Sequence, residues 1–286
     1  MTVTPSAAPA PPARVLVVGA GLIGTSLGLA MRRAWPGVHV DAMDAAPAPA
    51  AAHRAAFHRL LDAATPIPAC DLAVLACPVD AMPAWMDRLA ALPGAVTVTD
   101  VGSVKRLTRD AARAAGLARY VGGHPMAGAS VAGPTLASAG LFDGRPWFLE
   151  AGDAPADAVA RVRELIVACG GQPVPTDPEA HDALVAAVSH LPQLVSSLLM
   201  SVVHDAAGRD GLACAAGGLR DTTRLAASAG SMWLPILAAN RDHLAPLAAE
   251  LARRLAAAAA TLHDREAMGE VFAAANRHRR EFESLL

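Results

Sequence analysis

Short runs of consecutive apolar residues alternate with longer stretches of helical period through the first 178 residues. Arg14 to Val18 reads RVLVV, the unbroken β-branched pattern of a strand buried on both faces. The glycine-rich stretch Gly19 to Gly24 follows, and then TSLGLAMRRAW, a helix ending near Pro36-Gly37. VHVDAM predicts a second strand closing at Asp44, and AAAHRAAFHRLL has helical composition. CDLAVLACP is another buried strand, closed by Pro78. A helix from Met82 to Ala91, the strand AVTVTD, a helix from Lys105 to Ala115 and the short strand YVGGH continue the alternation. PWFLE, the helix AVARVRELIVACG and the strand QPVPTD complete it. Strands alternating with helices predict an α/β fold with a doubly wound parallel sheet.

From Glu179 onward no strand pattern remains, and long Ala/Leu-rich amphipathic stretches dominate. The expected organisation is a disordered lead-in over 1–13, a dinucleotide-binding domain over 14–178 and an all-helical domain over 179–286.

Composition narrows the function classes. Hydrophobic residues make up 53% of the 286, ample for a buried core. A net charge of -2 argues against nucleic-acid binding. Cysteines at 70, 77, 169 and 214 show no C-x-x-C spacing, so neither a zinc framework nor a disulfide scaffold is expected, and a reducing compartment fits. The most hydrophobic stretch, Leu184 to Val203, is broken by His190, Pro192 and Gln193, so no membrane span is expected. The opening MTVTPSAAPAPPAR lacks the plan of a signal peptide. A cytoplasmic protein follows as the expectation.

Gly19-Ala-Gly21-Leu22-Ile23-Gly24 fits G-x-G-x-x-G between a predicted strand and a predicted helix, with Asp44 twenty residues beyond Gly24. Gly19 permits the tight turn, Gly21 lets backbone approach a pyrophosphate, and Gly24 lets helix pack on sheet. The helix N-terminus presents free N–H groups to the phosphates. Asp44 suits ribose hydroxyls and repels a 2′-phosphate, and Ala45 and Ala46 supply no cation, which favours NAD over NADP. Cys77 and Pro78, at the close of CDLAVLACP, are placed in the same site.

Two polar clusters end later strands: Asp100-Val-Gly-Ser103-Val-Lys105 and Gly122-Gly-His124-Pro. Ligands of open α/β sheets lie at the carboxyl ends of strands. Ser103 and His124 are therefore expected near the nicotinamide. A neutral imidazole there takes a proton from a substrate hydroxyl, and a serine beside it holds the tautomer or shares that hydroxyl. The competing reading makes His124 a loop histidine satisfied by backbone. Lys105 is the sole lysine among 24 Lys and Arg residues, a site for a needed ammonium or an accident of composition.

The helical half adds Ser189-His190-Leu-Pro192-Gln193, where Pro192 should kink the helix and His190 is either a ligand or a core residue. Arg220 and Arg224 stand four apart, on one face if helical. They suit a substrate with carboxylates or, alternatively, form a solvated, salt-bridged face. Trp233 walls a pocket or belongs to the core.

Together these residues resemble the prephenate/arogenate dehydrogenase family of tyrosine biosynthesis. The resemblance runs through GAGLIGTSLG (19–28), DVGSVK (100–105), GGHPMAG (122–128), LFDGRPWFL (141–149), SHLPQ (189–193) and LRDTTRLAASAGSMW (219–233), with Asn240 after it. It implies a Rossmann-type N-terminal domain and a helical C-terminal domain that forms a homodimer. It also implies NAD-dependent oxidative decarboxylation of prephenate or arogenate. His124 would accept the hydroxyl proton, with Ser103 hydrogen-bonding nearby. Arg224 would take the substrate carboxylate, with Arg220 as a second basic group. Trp233 would line the ring pocket, and His190, Gln193 and Lys105 join the substrate site. Two positions depart from the family pattern: Ser130 replaces a glutamate, and Gln193 replaces the closing histidine of S-H-L-P-H, which leaves prephenate against arogenate open. With no chain after the helical domain, a fused mutase or regulatory domain is not expected. Two alternatives stand beside this reading: another NAD(P)-dependent dehydrogenase acting on 3-hydroxy acids or cyclic imines, and a catalytically silent NAD-binding regulator.

Overall fold

The structure, a computed structural model, describes residues 10–46, 51–128 and 133–285. Ser130 and residues 1–9 of the expected lead-in lie outside these. Strand β1 (Arg14–Val18) is buried over its last four residues. Val15 and Val17 pack into one core cluster and Leu16 and Val18 into another, one on each face of the sheet. A strand covered on both sides has no solvent face to place polar residues on, hence the unbroken apolar run.

Around it lie β2 (His39–Asp44), β3 (Arg59–Asp62), β4 (Leu72–Leu75), β5 (Thr97–Asp100), β6 (Tyr120–Pro125), β7 (Pro146–Glu150) and β8 (Gln172–Pro175). They form one sheet in the order β3-β2-β1-β4-β5-β6-β7-β8. Helices α1 (Leu22–Ala34), α2 (Ala51–Ala56), α3 (Met82–Ala90), α4 (Arg106–Ala114) and α5 (Ala156–Ala168) connect them. The strand order reverses at β1, which pairs in parallel with both β2 and β4. Such a reversal opens the crevice where doubly wound sheets bind ligands.

Two elements differ from the sequence expectation. AAAHRAAFHRLL is helical only to Ala56; its end becomes β3, an edge strand paired with β2. That pairing is tertiary: Arg59 stands opposite Asp41 in register and grips its carboxylate through two hydrogen bonds of 3.0 and 2.6 Å. Helical composition in a short window does not contain that information. The second difference is direction. β7 runs antiparallel to β6, whereas the other neighbouring pairs are parallel. The described residues between them hold only a 3-10 turn, Pro134–Leu136, and a strand that returns without a crossover helix must reverse direction.

The helical region comprises α6 (Pro178–Val185), a π turn (Ala186–His190), α7 (Leu191–Ala213), α8 (Gly217–Thr222), a 3-10 turn (Arg224–Ala227), α9 (Gly230–Ala239), α10 (Arg241–Ala260) and α11 (Arg265–Glu283). Pro192 sits in the first turn of α7, where a missing N–H costs least, and the π turn directly before it absorbs the irregularity. α6, the π turn and α7 join into one helical run, Pro178–Ala213, long and apolar enough to cross a bilayer by length and composition. The break expected at His190–Gln193 does not interrupt it. Only 28% of its most apolar window is buried within the chain.

Two compact units result, Met1–Arg241 and Asp242–Leu286. Residues 178–241 share the first unit with the sheet, because α6, the π turn and Asn240 are hydrogen-bonded to each other and to α4 and β6.

Candidate active site

Gly19 directly follows β1, with φ of +100°, a conformation open to glycine. A Cβ on it would lie 2.5 Å from the Ala76 carbonyl oxygen and 2.9 Å from the Cys77 nitrogen, so the turn rests on the end of β4. A Cβ on Gly24 would lie 1.9 Å from the Gly19 carbonyl oxygen. Gly21 is different: the place of its missing Cβ is open, with no atom within 4 Å. α1 starts there with no capping side chain and no acid in its first turn, leaving its N–H groups and positive dipole end uncompensated. Ala20 is pinned by Thr25 Oγ1 and by His53 Nε2, each 2.9 Å from its carbonyl oxygen. Asp44 accepts from the Ala20 and Ala46 nitrogens at 2.8 and 2.9 Å. A carboxylate has about four acceptor positions, and two of those of Asp44 are taken among the described residues. Cys77 is half-buried beside the loop, and burial pushes its thiol up to about 12, so it stays neutral near a phosphate. Pro78 is exposed. An open backbone cradle, a free helix end and an acid at the tip of β2 fit a dinucleotide.

The second cluster lies three strand spacings away, about 14 Å across the same sheet edge. His124, near the end of β6, is 8% exposed, and its Nδ1 lies 2.9 Å from His181 Nε2. His181 Nδ1 lies 2.7 Å from Asp182 Oδ1. Asp182 also accepts from the Lys105 and Arg106 backbone nitrogens at 2.7 and 3.0 Å, capping α4 from outside. Burial holds His124 well below the usual histidine range, and the neighbouring His181, Lys105 and His190 push the same way. Burial lowers His181 too, against the pull of Asp182. For Asp182 itself burial acts upward, but the hydrogen bonds from His181 and the two backbone N–H groups outweigh it, and the carboxyl lies below its usual range.

Lys105 is a correction. Its side chain is fully buried, its ammonium bonded to Asp100 and, at 2.7 Å, to the Gly123 carbonyl oxygen, so it cannot meet a substrate. Asp100 also accepts from Tyr120 Oη, Gly123 N and Gly102 N at 2.8, 3.0 and 2.9 Å. One carboxylate thus ties the loop of Ser103 to the strand of His124. Ser103 is half-buried and shares no hydrogen bond with His124 among the described residues. The group that faces His124 Nδ1 is His181, at 2.9 Å.

In the helical region, His190 is fully buried. Its Nδ1 lies 3.1 Å from Asn240 Nδ2, which also donates to the Asp182 carbonyl oxygen at 2.7 Å. Nδ1 therefore accepts, and Nε2 carries the hydrogen, buried without a partner. Burial lowers this imidazole to about 4. Trp233 stands edge-on to it at 5.9 Å between centroids. Gln193 donates to the Leu225 carbonyl oxygen at 2.9 Å, tying the turn that opens with Arg224 to the face of the helix bearing His190. Its Oε1 is buried and unpartnered. Arg220 and Arg224 do not share a helix face: α8 ends at Thr222, and Arg224 opens a separate 3-10 turn. Both are exposed and have no ion-pair partner among the described residues. Sequence reasoning missed His181 and Asp182, and it gave Asp100 and Asn240 no role although it placed Asp100 in the first polar cluster and Asn240 after the last motif. For His181 and Asp182 the signal on offer was their adjacency behind a helix-opening proline.

The model "Prephenate dehydrogenase, nucleotide-binding domain" matches residues 27–174, and "Prephenate dehydrogenase, dimerization domain" matches 177–274. The chain belongs to the prephenate dehydrogenase family. It is 32% identical over 240 residues to the prephenate dehydrogenase of Bacillus subtilis, covering 80% of this chain and 65% of that one. It is 35% identical over 251 residues to the probable prephenate dehydrogenase NovF of Streptomyces niveus, covering 86% and 68%. The chain thus spans about two thirds of the length of these relatives. The crystal structure of prephenate dehydrogenase from Aquifex aeolicus, in complex with hydroxyphenyl propionate and NAD+, superposes with a TM-score of 0.84 at 25% identity, covering 96% of this chain and 98% of that one.

Proposed function

We propose that this chain catalyses the NAD-dependent oxidative decarboxylation of prephenate, or of its amino counterpart arogenate, in tyrosine biosynthesis. The observation that carries the reading is His124: a buried imidazole held neutral at the strand edge that carries the glycine loop, with Nδ1 engaged and Nε2 unbonded among the described residues. The family match, and the NAD+ in the Aquifex structure, point the same way. We read 14–178 as the cofactor domain and 179–286 as the substrate and dimerisation domain.

The Gly19–Gly24 turn and α1 would seat the pyrophosphate, and Asp44 the ribose. Bound there, NAD would supply the hydride acceptor for the hydroxyl-bearing ring carbon. His124 accepts the hydroxyl proton as that C–H bond breaks, with Ser103 beside the same oxygen. The ring carboxylate leaves as CO2, its electron pair enters the ring, and the proton returns from His124 to the phenolic oxygen. Arg224, with Arg220 nearby in sequence, is the cation for a substrate carboxylate. Trp233, His190 and Gln193 form the ring and side-chain end of the site. The exposed Leu198, Leu199 and Val202 of α7 and Met232 and Leu234 of α9 suit a homodimer interface.

The test is direct: purified protein, NAD and either prephenate or arogenate, followed by NADH absorbance. Turnover with one or both is expected. No turnover with either overturns the reading, and an enzyme of another substrate class or a silent NAD-binding protein takes its place. Arg224→Ala should raise KM for the substrate about tenfold or more with little change in kcat.

A further inference from the structure

We propose that His181 and Asp182 are positioning residues which fix the tautomer of His124, leaving Nε2 as its proton-accepting nitrogen. The proposal rests on the reading of His124 as the base. It follows from counting hydrogens along one buried chain. An ionised carboxylate only accepts. Asp182 Oδ1 receives the Lys105 backbone N–H, and it faces His181 Nδ1 at 2.7 Å, so that nitrogen carries a hydrogen. A neutral His181 then has a bare Nε2, and that lone pair faces His124 Nδ1 at 2.9 Å. His124 Nδ1 must donate, so the neutral ring is bare at Nε2. The opposite tautomer of His124 would set two lone pairs against each other between two buried rings.

The anchor of this chain is independent of the chemistry. The first N–H groups of α4 have no partner within their helix, and Lys105 at the cap supplies none. Asp182 fills that place from α6, whose own start is fixed by Asp177 accepting from the Ala180 nitrogen at 2.9 Å. The ring of Phe148 packs against His181, 5.1 Å between centroids and nearly perpendicular, and limits its rotation. Asn240 sets the opposite state at His190, where Nδ1 accepts and Nε2 carries the hydrogen. Two neighbouring histidines thus present a bare Nε2 and a protonated one.

The experiment is long-range 1H–15N correlation on the full chain with 15N-labelled histidine, the His124 signals assigned by their loss in His124→Asn. The expected result is a protonated Nδ1 and a bare Nε2 on His124. Alongside it, His181→Leu should lower kcat about 10²-fold, since a base in the wrong tautomer cannot accept. His181→Gln, whose carbonyl oxygen can receive the Nδ1 hydrogen, should recover most of that loss. NAD affinity should stay within twofold in both. A protonated Nε2 on wild-type His124 overturns the proposal. So does kcat within twofold of wild type in His181→Leu while His124→Asn is inactive. Should His181→Leu fail to fold, the wild-type tautomer decides alone. Full turnover in His124→Asn would instead remove the base reading, which the tautomer measurement does not share.

Discussion

The glycine loop and the His124 cluster sit on the same sheet edge yet are built in opposite ways. The loop is contiguous in sequence, and its working parts are backbone N–H groups and the absence of side chains. Gly21 contributes by leaving space. The His124 cluster draws on Asp100, Lys105, His124, His181, Asp182, His190 and Asn240, and its working parts are buried side chains that hydrogen-bond one another and leave the Nε2 atoms of His124 and His190 without a partner among the described residues. The first site is read from one short stretch of sequence, although β4, Asp44 of β2 and His53 of α2 hold it in place. The second exists only when α4, α6 and β6 have closed on one another, so its failures should be failures of folding and turnover rather than of cofactor affinity.

The sharpest break is His124→Asn. It should lower turnover by about 10²–10⁴-fold with NAD affinity unchanged. A loss under tenfold would take His124 out of the base role and leave the comparison without its chemical half. Lys105→Ala comes next. It leaves Asp100 buried without its ammonium and should destabilise the fold by about 3–5 kcal/mol in urea unfolding. Unchanged stability would show that the buried pair does not hold the two loops together.

The third test is pH. His190 titrates near 4 in the fold against an ordinary value of 6.5. The unfolded chain therefore takes up the proton first. Stability from this group is fully present above about 6.5, declines as pH falls, and is gone below about 4, a difference of about 3 kcal/mol. His124 and His181 are lowered as well and steepen the same slope. Urea midpoints at pH 7 and pH 4.5 should differ accordingly, and His190→Gln should flatten part of the slope. Equal midpoints would contradict the buried, neutral state.

The contrast also explains what could be read in advance. β1, the glycine turn, α1 and Asp44 were legible because each is a local pattern: a run of apolar residues, three spaced glycines, an acid at a strand end. β3 was not, because Arg59 becomes a strand residue only by pairing with Asp41 across the sheet. His124 was legible as a polar residue at a strand end, with Ser103 read as holding its tautomer or sharing the substrate hydroxyl; the imidazole that faces its Nδ1, His181, lies 57 residues away and no local motif announces it. Lys105 misled for a related reason: rarity in the composition says that an ammonium is kept, and only burial says that its anion is Asp100.

The smallest expected effect separates the two constructions most cleanly, because it should alter binding without touching the fold. Gly21→Ala adds a methyl into open space, at a residue whose φ of −74° and ψ of −160° alanine tolerates. Its stability should stay within about 0.5 kcal/mol of wild type. The same methyl occupies the approach a pyrophosphate needs, and losing one or two charged hydrogen bonds should weaken NAD about 10–100-fold. Gly24→Ala is the counterpart: its methyl would fall 1.9 Å from the Gly19 carbonyl oxygen, so it should destabilise the fold as well as the binding. Isothermal titration with NAD and thermal melting of the two variants give four numbers. If Gly21→Ala bound NAD as tightly as wild type, the loop would be a packing device and the cofactor cradle would lie elsewhere on the edge.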